Sequence, residues 1–248
     1  MQTGFEISAV LNLHREGLIA LPSIRSYLQC CAAAEADGIP VERIVVLDRG
    51  DEPTRRCLAQ YQAEFQRVEP VDFGDVGLAR NHAVALASGN FVAFFDGDDL
   101  WGSPWLRLAF RCAFASSDLA AYHPAALYMF HEGDFNLQSQ NDVPHERAQS
   151  YFLVPEDSAR IDTGCLYFDN VWSAHSFARR ELYRRFPYDA VDREQGFGIE
   201  DWSWNHLILR NGIEHRIVPD TLHLYRMKEQ GSLNQANWDA GLLPRLRD

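Results

Sequence analysis

Asn90-Phe91-Val92-Ala93-Phe94-Phe95-Asp96-Gly97-Asp98-Asp99-Leu100-Trp101 decides how the chain is read. Five apolar residues in a row, Phe91 to Phe95, are enough for a short buried strand. The run ends in three carboxylates around one glycine. A buried strand that ends in clustered negative charge is costly unless a cation offsets it. Ligands of open α/β sheets bind just past the carboxyl ends of strands. Hard divalent cations share oxygen ligands between carboxylates and substrate phosphates. The stretch reads as a metal–diphosphate site at a strand end, with an ordinary acidic turn as the plain alternative. An extended backbone would put Asp96 and Asp98 on one side, and Gly97 would let the chain turn tightly between them.

Working outward, strands and helices alternate. Residues 6–13 read as a first buried strand, 14–17 as a loop, and 18–36 as a helix stopped by Asp37-Gly38-Ile39-Pro40. Val41 to Leu47 is a second strand running into Asp48-Arg49-Gly50-Asp51; a helix over 52–65 and a short strand over 68–73 follow. Residues 77–87 read as a helix with Gly89 in the stop region. Beyond the central strand, Ser103 reads as an N-cap and Pro104 as the first residue of a helix to about Ala115. This alternation predicts a mostly parallel central sheet covered on both faces. The second half is less regular. It reads as a strand over 120–130, a polar, turn-rich segment from 131 to 170, a short strand over 170–173 and a helix over 176–185. A loop over 186–198, a helix over 199–211 and two short strands, 214–218 and 222–225, complete it; the last twenty residues show no strong period.

The chain has 248 residues and a net charge of −12, from 23 basic and 35 acidic side chains. That balance argues against non-specific nucleic-acid or anionic-membrane binding, but a metal can still supply positive charge locally for an anionic substrate. No apolar run approaches a membrane span, and the start lacks the basic-then-apolar pattern of a leader. The cysteines, Cys30, Cys31, Cys57, Cys112 and Cys165, are odd in number and form no Cys-x-x-Cys pair. They read as reduced packing thiols of a cytoplasmic protein without a zinc site.

Four features together resemble the inverting glycosyltransferases of GT-A fold, family 2. They are a strand ending in Asp48, the helix start Gly77-Leu78-Ala79-Arg80-Asn81, the triplet Asp96-Gly97-Asp98, and Glu200-Asp201-Trp202 behind the glycine-containing loop Gly196-Phe197-Gly198. The resemblance spans nearly the whole chain, to about Arg226. It implies an α/β GT-A (Rossmann-like) fold with a smaller irregular acceptor-side region. It also implies one domain: a nucleotide-sugar half over 1–117, an acceptor-side and catalytic half over 118–226, and a flexible tail over 227–248. The implied reaction moves a sugar from a nucleoside diphosphate, taken as UDP, to a hydroxyl of a saccharide or small acceptor. The oligomeric state is left open.

The same resemblance assigns roles. Asp98 would bind Mn²⁺ or Mg²⁺, with Asp96 helping to hold the metal or contacting the ribose, and the metal would stabilise the departing diphosphate. Asp48 would accept from the base, although the usual Asp-Asp-Gly-Ser run is Asp48-Arg49-Gly50-Asp51 here, which leaves the base open. Arg80 would touch the nucleotide; Asn12, His14 and Arg226 join it as donor contacts. His223 is a candidate metal ligand, and Arg226 with Lys228 could close over the diphosphate. Asp201 would be the general base, worth ~10²–10⁴ in rate, with Glu200 orienting the acceptor. The competing role of Asp201 is a helix N-cap. Trp101, Trp172, His175, Phe197 and Trp202 are candidate acceptor platforms, and the 131–170 segment a candidate lid. The rival functions are a nucleotidyltransferase, which would want a glycine-rich basic loop where Leu13-His14-Arg15-Glu16-Gly17 stands, and a non-catalytic module that binds a nucleotide sugar or glycan.

Overall fold

The structure is a computed structural model that describes residues 4–131, 151–228 and 231–247. Residues 132–150, the front of the expected lid, lie outside the described residues, as do 229 and 230 in the expected tail.

The first half alternates as read. In order come β1 (Ile7–Leu13), α1 (Ala20–Ala36), β2 (Val41–Asp48), α2 (Glu52–Ala59), β3 (Arg67–Val71), α3 (Val76–Leu86), β4 (Phe91–Asp96), the two-residue β5 (Leu100–Trp101) and α4 (Trp105–Phe114). The second half holds β6 (Ala120–His131), β7 (Tyr151–Leu153), β8 (Phe177–Arg179), α5 (Arg180–Arg185), α6 (Glu200–Arg210), β9 (Glu214–Met227) and α7 (Leu233–Asp239). One mixed sheet runs through both halves in the order β3-β2-β1-β4-β8-β6-β9-β5, with β7 on β6. β3, β2, β1 and β4 are parallel; β8 pairs antiparallel with β4 and β6, while β6 and β9 are parallel to each other.

Alternate strand residues go to opposite faces, and both are apolar, which is why the central strands read as unbroken hydrophobic runs. Ile7, Ala9 and Leu11 with Phe91, Ala93 and Phe95 pack under α1 and α4. Val10, Ile44, Val92 and Phe94 pack under α3, α5 and α6. The chain moves from β1 outward to β2 and β3, then returns to the other side of β1 as β4. The carboxyl ends of β1 and β4 therefore frame the crevice where open α/β sheets bind ligands, and Asn12 stands opposite Asp96 there.

Several local expectations are corrected. Phe177–Arg179 is a strand, not the start of a helix, because the gap between β4 and β6 needs it. The two short strands at the end are one, β9. Its expected break is a bulge: four steps of β9, Val218 to Leu222, face two of β6, Pro124 to Ala126. Asp220 takes φ 60° in that bulge, and the Thr221 hydroxyl accepts from the Ala125 N–H. No strand forms over 170–173. Ser103 does not cap α4, whose N-cap is Pro104. The tail is partly helical, because Ser232 caps α7 by accepting from the Gln235 N–H.

Candidate active site

The carboxyl ends of β1, β2, β4 and β9 and the starts of α3 and α6 open onto one cavity of about 1210 Å³, ample for a ligand larger than a drug-sized molecule. Asn12, His14, Asp48, Arg80, Asp96, Asp98, Glu200, Asp201, His223 and Arg226 all line it. Asp98 and Asp201 thus face a shared hollow.

Asp96 closes β4, and the chain turns at once, so Asp96 and Asp98 do not share an extended face. Gly97 is needed for close approach: a Cβ there would lie 2.4 Å from Leu13 Cδ2 and 2.9 Å from the Asn12 carbonyl oxygen. The three carboxylates part company. Both carboxylate oxygens of Asp96 accept from Arg80 Nη2 at 3.2 Å. Asp98 pairs with Lys228 Nζ at 2.6 Å. Asp99 is buried; its Oδ1 accepts from the Arg226 N–H at 2.8 Å and its Oδ2 lies 2.8 Å from His223 Nε2. Burial pushes the Asp96 carboxyl up, but His175 and Arg80 more than offset it and hold it well below the usual range. Burial, with Asp98 and Asp96 nearby, pushes Asp99 well up.

Arg80 reaches the cavity wall from a buried position. It is 1% exposed, and its second arm donates to Glu200 Oε1 at 2.8 Å. It therefore bolts the β4 acids to the α6 acids. The rest of the α3 start serves the same junction. Asp75 caps the helix by accepting from Leu78 N–H and also accepts from Val191 N–H at 2.8 Å. Asn81 binds both main-chain groups of Tyr188, at 2.8 and 2.9 Å. A Cβ on Gly77 would lie 2.6 Å from the Asp189 carbonyl oxygen.

Asp201 is not an N-cap. The cap position of α6 is Ile199, and no side chain bonds there. Asp201 Oδ2 instead accepts from Asn170 Nδ2 at 2.9 Å. Burial raises its pKa, with Arg80 working against the rise. Glu200 is pushed up to about 7 by burial and by Asp201.

At the base end of the crevice, Asp48 clamps the loop after β3: its oxygens accept from the N–H groups of Phe73 at 2.8 Å and Asp75 at 3.2 Å. His14 Nδ1 meets the Asp48 carbonyl oxygen. Asn12 has no hydrogen-bond partner for either amide atom among the described residues although it is 8% exposed. A buried amide left open at a cavity wall is a ready ligand contact.

Of the acceptor-platform candidates, Trp172, His175 and Trp202 line the cavity, and packing sets how much of each faces it. Trp101 and Phe197 are not among the residues lining the large cavity; Trp101 stacks on His223 at 4.1 Å, and Arg245 covers Phe197. Trp172 is 1% exposed and stacks on His215 at 3.9 Å. Trp202 is buried with its indole N–H on the Leu166 carbonyl. His175 sits against the acids, with Nε2 at 2.9 Å from Asp96 Oδ2 and 3.7 Å from Asp99 Oδ2. Trp238, half exposed at the cavity wall, was not singled out by sequence, nor was Asn170. Neither lies in a pattern that marks it.

Among the described residues, Asp99, His175 and His223 place one potential ligand atom each within 4.8 Å of one another, and could hold a metal ion. Of the expected metal set Asp96, Asp98 and His223, only His223 belongs to that group.

The model of the family described as Glycosyl transferase family 2 matches residues 19–167, more than half of the chain. No curated protein matches the sequence. Among solved structures, S. aureus TarS 1–349 with UDP-GlcNAc is similar at 15% identity and TM-score 0.61, over 94% of this chain and 61% of that one. A second structure of S. aureus TarS 1–349 is similar at 16% and 0.57, over 90% and 60%. The mannosyltransferase PcManGT from Pyrobaculum calidifontis, in complex with GDP-Man and Mn²⁺, is similar at 15% and 0.59, over 93% and 59%. At these identities the likeness shows the GT-A fold, and the chain spans about 60% of the length of those chains. By the match over 19–167 and the fold that carries it, the chain belongs to glycosyl transferase family 2.

Proposed function

We propose that this chain transfers a sugar from a nucleoside-diphosphate donor to an acceptor hydroxyl, by a single displacement that inverts the anomeric carbon. The observation that carries this reading is the shared cavity: an uncapped, elevated carboxylate, Asp201, opens onto the same hollow as the strand-end acids. A base needs to be ionised yet eager for a proton, and burial against Arg80 supplies both conditions. Asp201 takes the proton of the acceptor hydroxyl as its oxygen attacks; Glu200, fixed by Arg80, orients the acceptor side. Asn12 and the loop clamped by Asp48 hold the nucleotide, with UDP the first candidate and GDP the second. Residues 1–117 supply the donor half, 118–226 the base and acceptor half, and 227–248 the tail. The acceptor is a saccharide or another small hydroxyl compound, and the location is the cytoplasm.

A divalent cation fits the chemistry. Acidic residues outnumber basic ones twelve to five around this cavity, and a diphosphate would add to the excess. Nδ1 of His175 is buried without a hydrogen-bond partner among the described residues, and its Nε2 faces the carboxylates of Asp96 and Asp99. Asp99, His175 and His223 would hold the ion, and their mixed nitrogen and oxygen donors suit Mn²⁺ better than Mg²⁺. When bound, the ion neutralises charge on the leaving diphosphate. Lys228, beside Asp98, brings a second positive charge to the same place.

Asp201→Asn tests the reading. Donor binding should persist while transfer falls by ~10²–10⁴, with a UDP- and GDP-sugar panel as donors and product configuration read by NMR. An active Asn variant, or retained configuration, would overturn the mechanism. Nucleotide binding with no turnover of any donor would indicate a non-catalytic module, and use of a nucleoside triphosphate a nucleotidyltransferase.

A further inference from the structure

The proposed base is gripped from one side by a side chain that takes no part in the chemistry. Asp201 Oδ2 accepts from Asn170 Nδ2 at 2.9 Å. Asn170 Oδ1 in turn accepts from Asn205 Nδ2 at 2.9 Å. The same Asn205 nitrogen donates to the Trp172 carbonyl oxygen at 3.1 Å. A main-chain carbonyl can only accept, so the atom of Asn205 facing it is the amide nitrogen. The atom of Asn170 that meets this nitrogen must then be its oxygen, and its own amide nitrogen is turned toward Asp201. The usual ambiguity of an asparagine flip is removed along the whole line. The far end is anchored as well: the Asn205 carbonyl lies 3.1 Å from His215 Nε2, and the His215 ring lies flat on Trp172.

We propose that Asn170 is the positioning residue of the base: it occupies Oδ2 of Asp201 with an N–H that cannot be inverted, and so directs the acceptor's proton to Oδ1. This deepens the function proposed above and rests on Asp201 being the base. An amide donor favours the ionised carboxylate, so Asn170 also restrains the rise that burial imposes. The other groups that face Asp201 stay in place when Asn170 is changed. They are Glu200 on α6, Arg80 on α3, His175 before β8, Tyr188 before α6 and Tyr225 on β9.

The experiment compares wild type with Asn170→Ala and Asn170→Asp, and includes Asp201→Asn as a control. Turnover is read as nucleoside diphosphate released from the UDP- and GDP-sugar panel with water or sugar as acceptor. Asn170→Ala should lower kcat about 10–100-fold, as removal of an outer partner of a site residue does, with UDP or GDP affinity unchanged and a fall in Tm too small to account for the loss. The acid limb of kcat should move to higher pH. Asn170→Asp keeps the volume and the bond to Asn205 but sets a second carboxylate against Oδ2, so the limb should move further. Carboxyl ¹³C NMR of Asp201 in the donor-free protein should show the same order of shifts independently of turnover. Unchanged Asp201 titration and pH profile in Asn170→Asp would overturn the proposal, as would a loss in Asn170→Ala that merely follows Tm. If Asp201→Asn is inactive while both Asn170 variants match wild type, only the positioning role fails. If Asp201→Asn is active, the base assignment fails first.

Discussion

The acids at the strand ends and the acids at the start of α6 meet in one cavity but are held in different ways. On the strand side the backbone does much of the holding. Asp48 is clamped by two main-chain N–H groups, and Asp99 by the Arg226 N–H. At the start of α6 the work passes to side chains from far along the chain. Glu200 leans on Arg80, Asp201 on Asn170, and Asn170 on Asn205. Main-chain donors are placed by the sheet itself and survive most substitutions. Side-chain networks are fixed only when every member is satisfied. The α6 side should therefore be the fragile one, and Arg80 its most exposed point of failure.

Arg80→Met tests that difference most severely. It leaves the buried Glu200 and the partly buried Asp96 without their shared cation, and breaking a buried pair on one side costs about 3–5 kcal/mol. For a chain of this length that corresponds to a fall in Tm on the order of 10 °C. The loss should be smaller near pH 5.5 than at pH 8, because Glu200 can then take up a proton. Equal Tm values for variant and wild type at pH 8 would mean that the two acidic groups are not coupled through this residue.

How much of this was legible follows the same divide. β1 to β4, α1 and α3 were read within a few residues, because each strand is an unbroken apolar run and each helix stops at glycine or a polar turn; the helix expected over 52–65 ends at Ala59. The Gly77–Asn81 motif was found, but not what it does. Sequence suggested that Arg80 meets the nucleotide; that it also ties Asp96 to Glu200 could not be read, because these partners lie 16 and 120 residues away. Phe177–Arg179 read as helix because its strand pairing comes from β4 and β6, and tertiary pairing overrides local propensity. Asn170 lay in a polar segment with no period, so nothing local marked it. Asp201 was found, and so was its rival role as a cap; only the vacancy of Ile199's cap bond separates the two.

Lys228 gives a milder test, on the strand side. Sequence allowed either a solvated basic tail or a cation for the diphosphate. The side chain is 16% exposed and Asp98 22%, at 2.6 Å. A double-mutant cycle of Asp98→Asn with Lys228→Met, read by urea unfolding, should give a coupling of about 1 kcal/mol. Zero coupling would return Lys228 to a solvated tail. The cycle also bears on metal binding, since Lys228→Met removes a positive charge beside the acidic cluster and should raise, not lower, the affinity of the donor-free protein for Mn²⁺.

Glu16 sharpens the contrast best. Glu16 and Glu200 are both pushed up to about 7, each chiefly by burial, Glu16 also by Asp98 and Glu200 by Asp201. Both therefore bind protons in the folded state between their ordinary value of 4.5 and about 7 that the unfolded chain has already released. By linkage, stability falls as pH rises through that window. Glu16 accepts a main-chain N–H from His14 at 2.7 Å, which an amide oxygen can also do. Glu16→Gln should thus match wild type near pH 4.5, exceed it above pH 7, and leave a shallower slope due to Glu200. Glu200→Gln removes the same liability but also strips Arg80 of a charged partner, so its gain above pH 7 should be cancelled or reversed. Tm measured for both variants at pH 5 and pH 8 separates the cases. If Glu200→Gln gained as much as Glu16→Gln, side-chain and main-chain holding would be equivalent here, and the difference between the two regions would vanish.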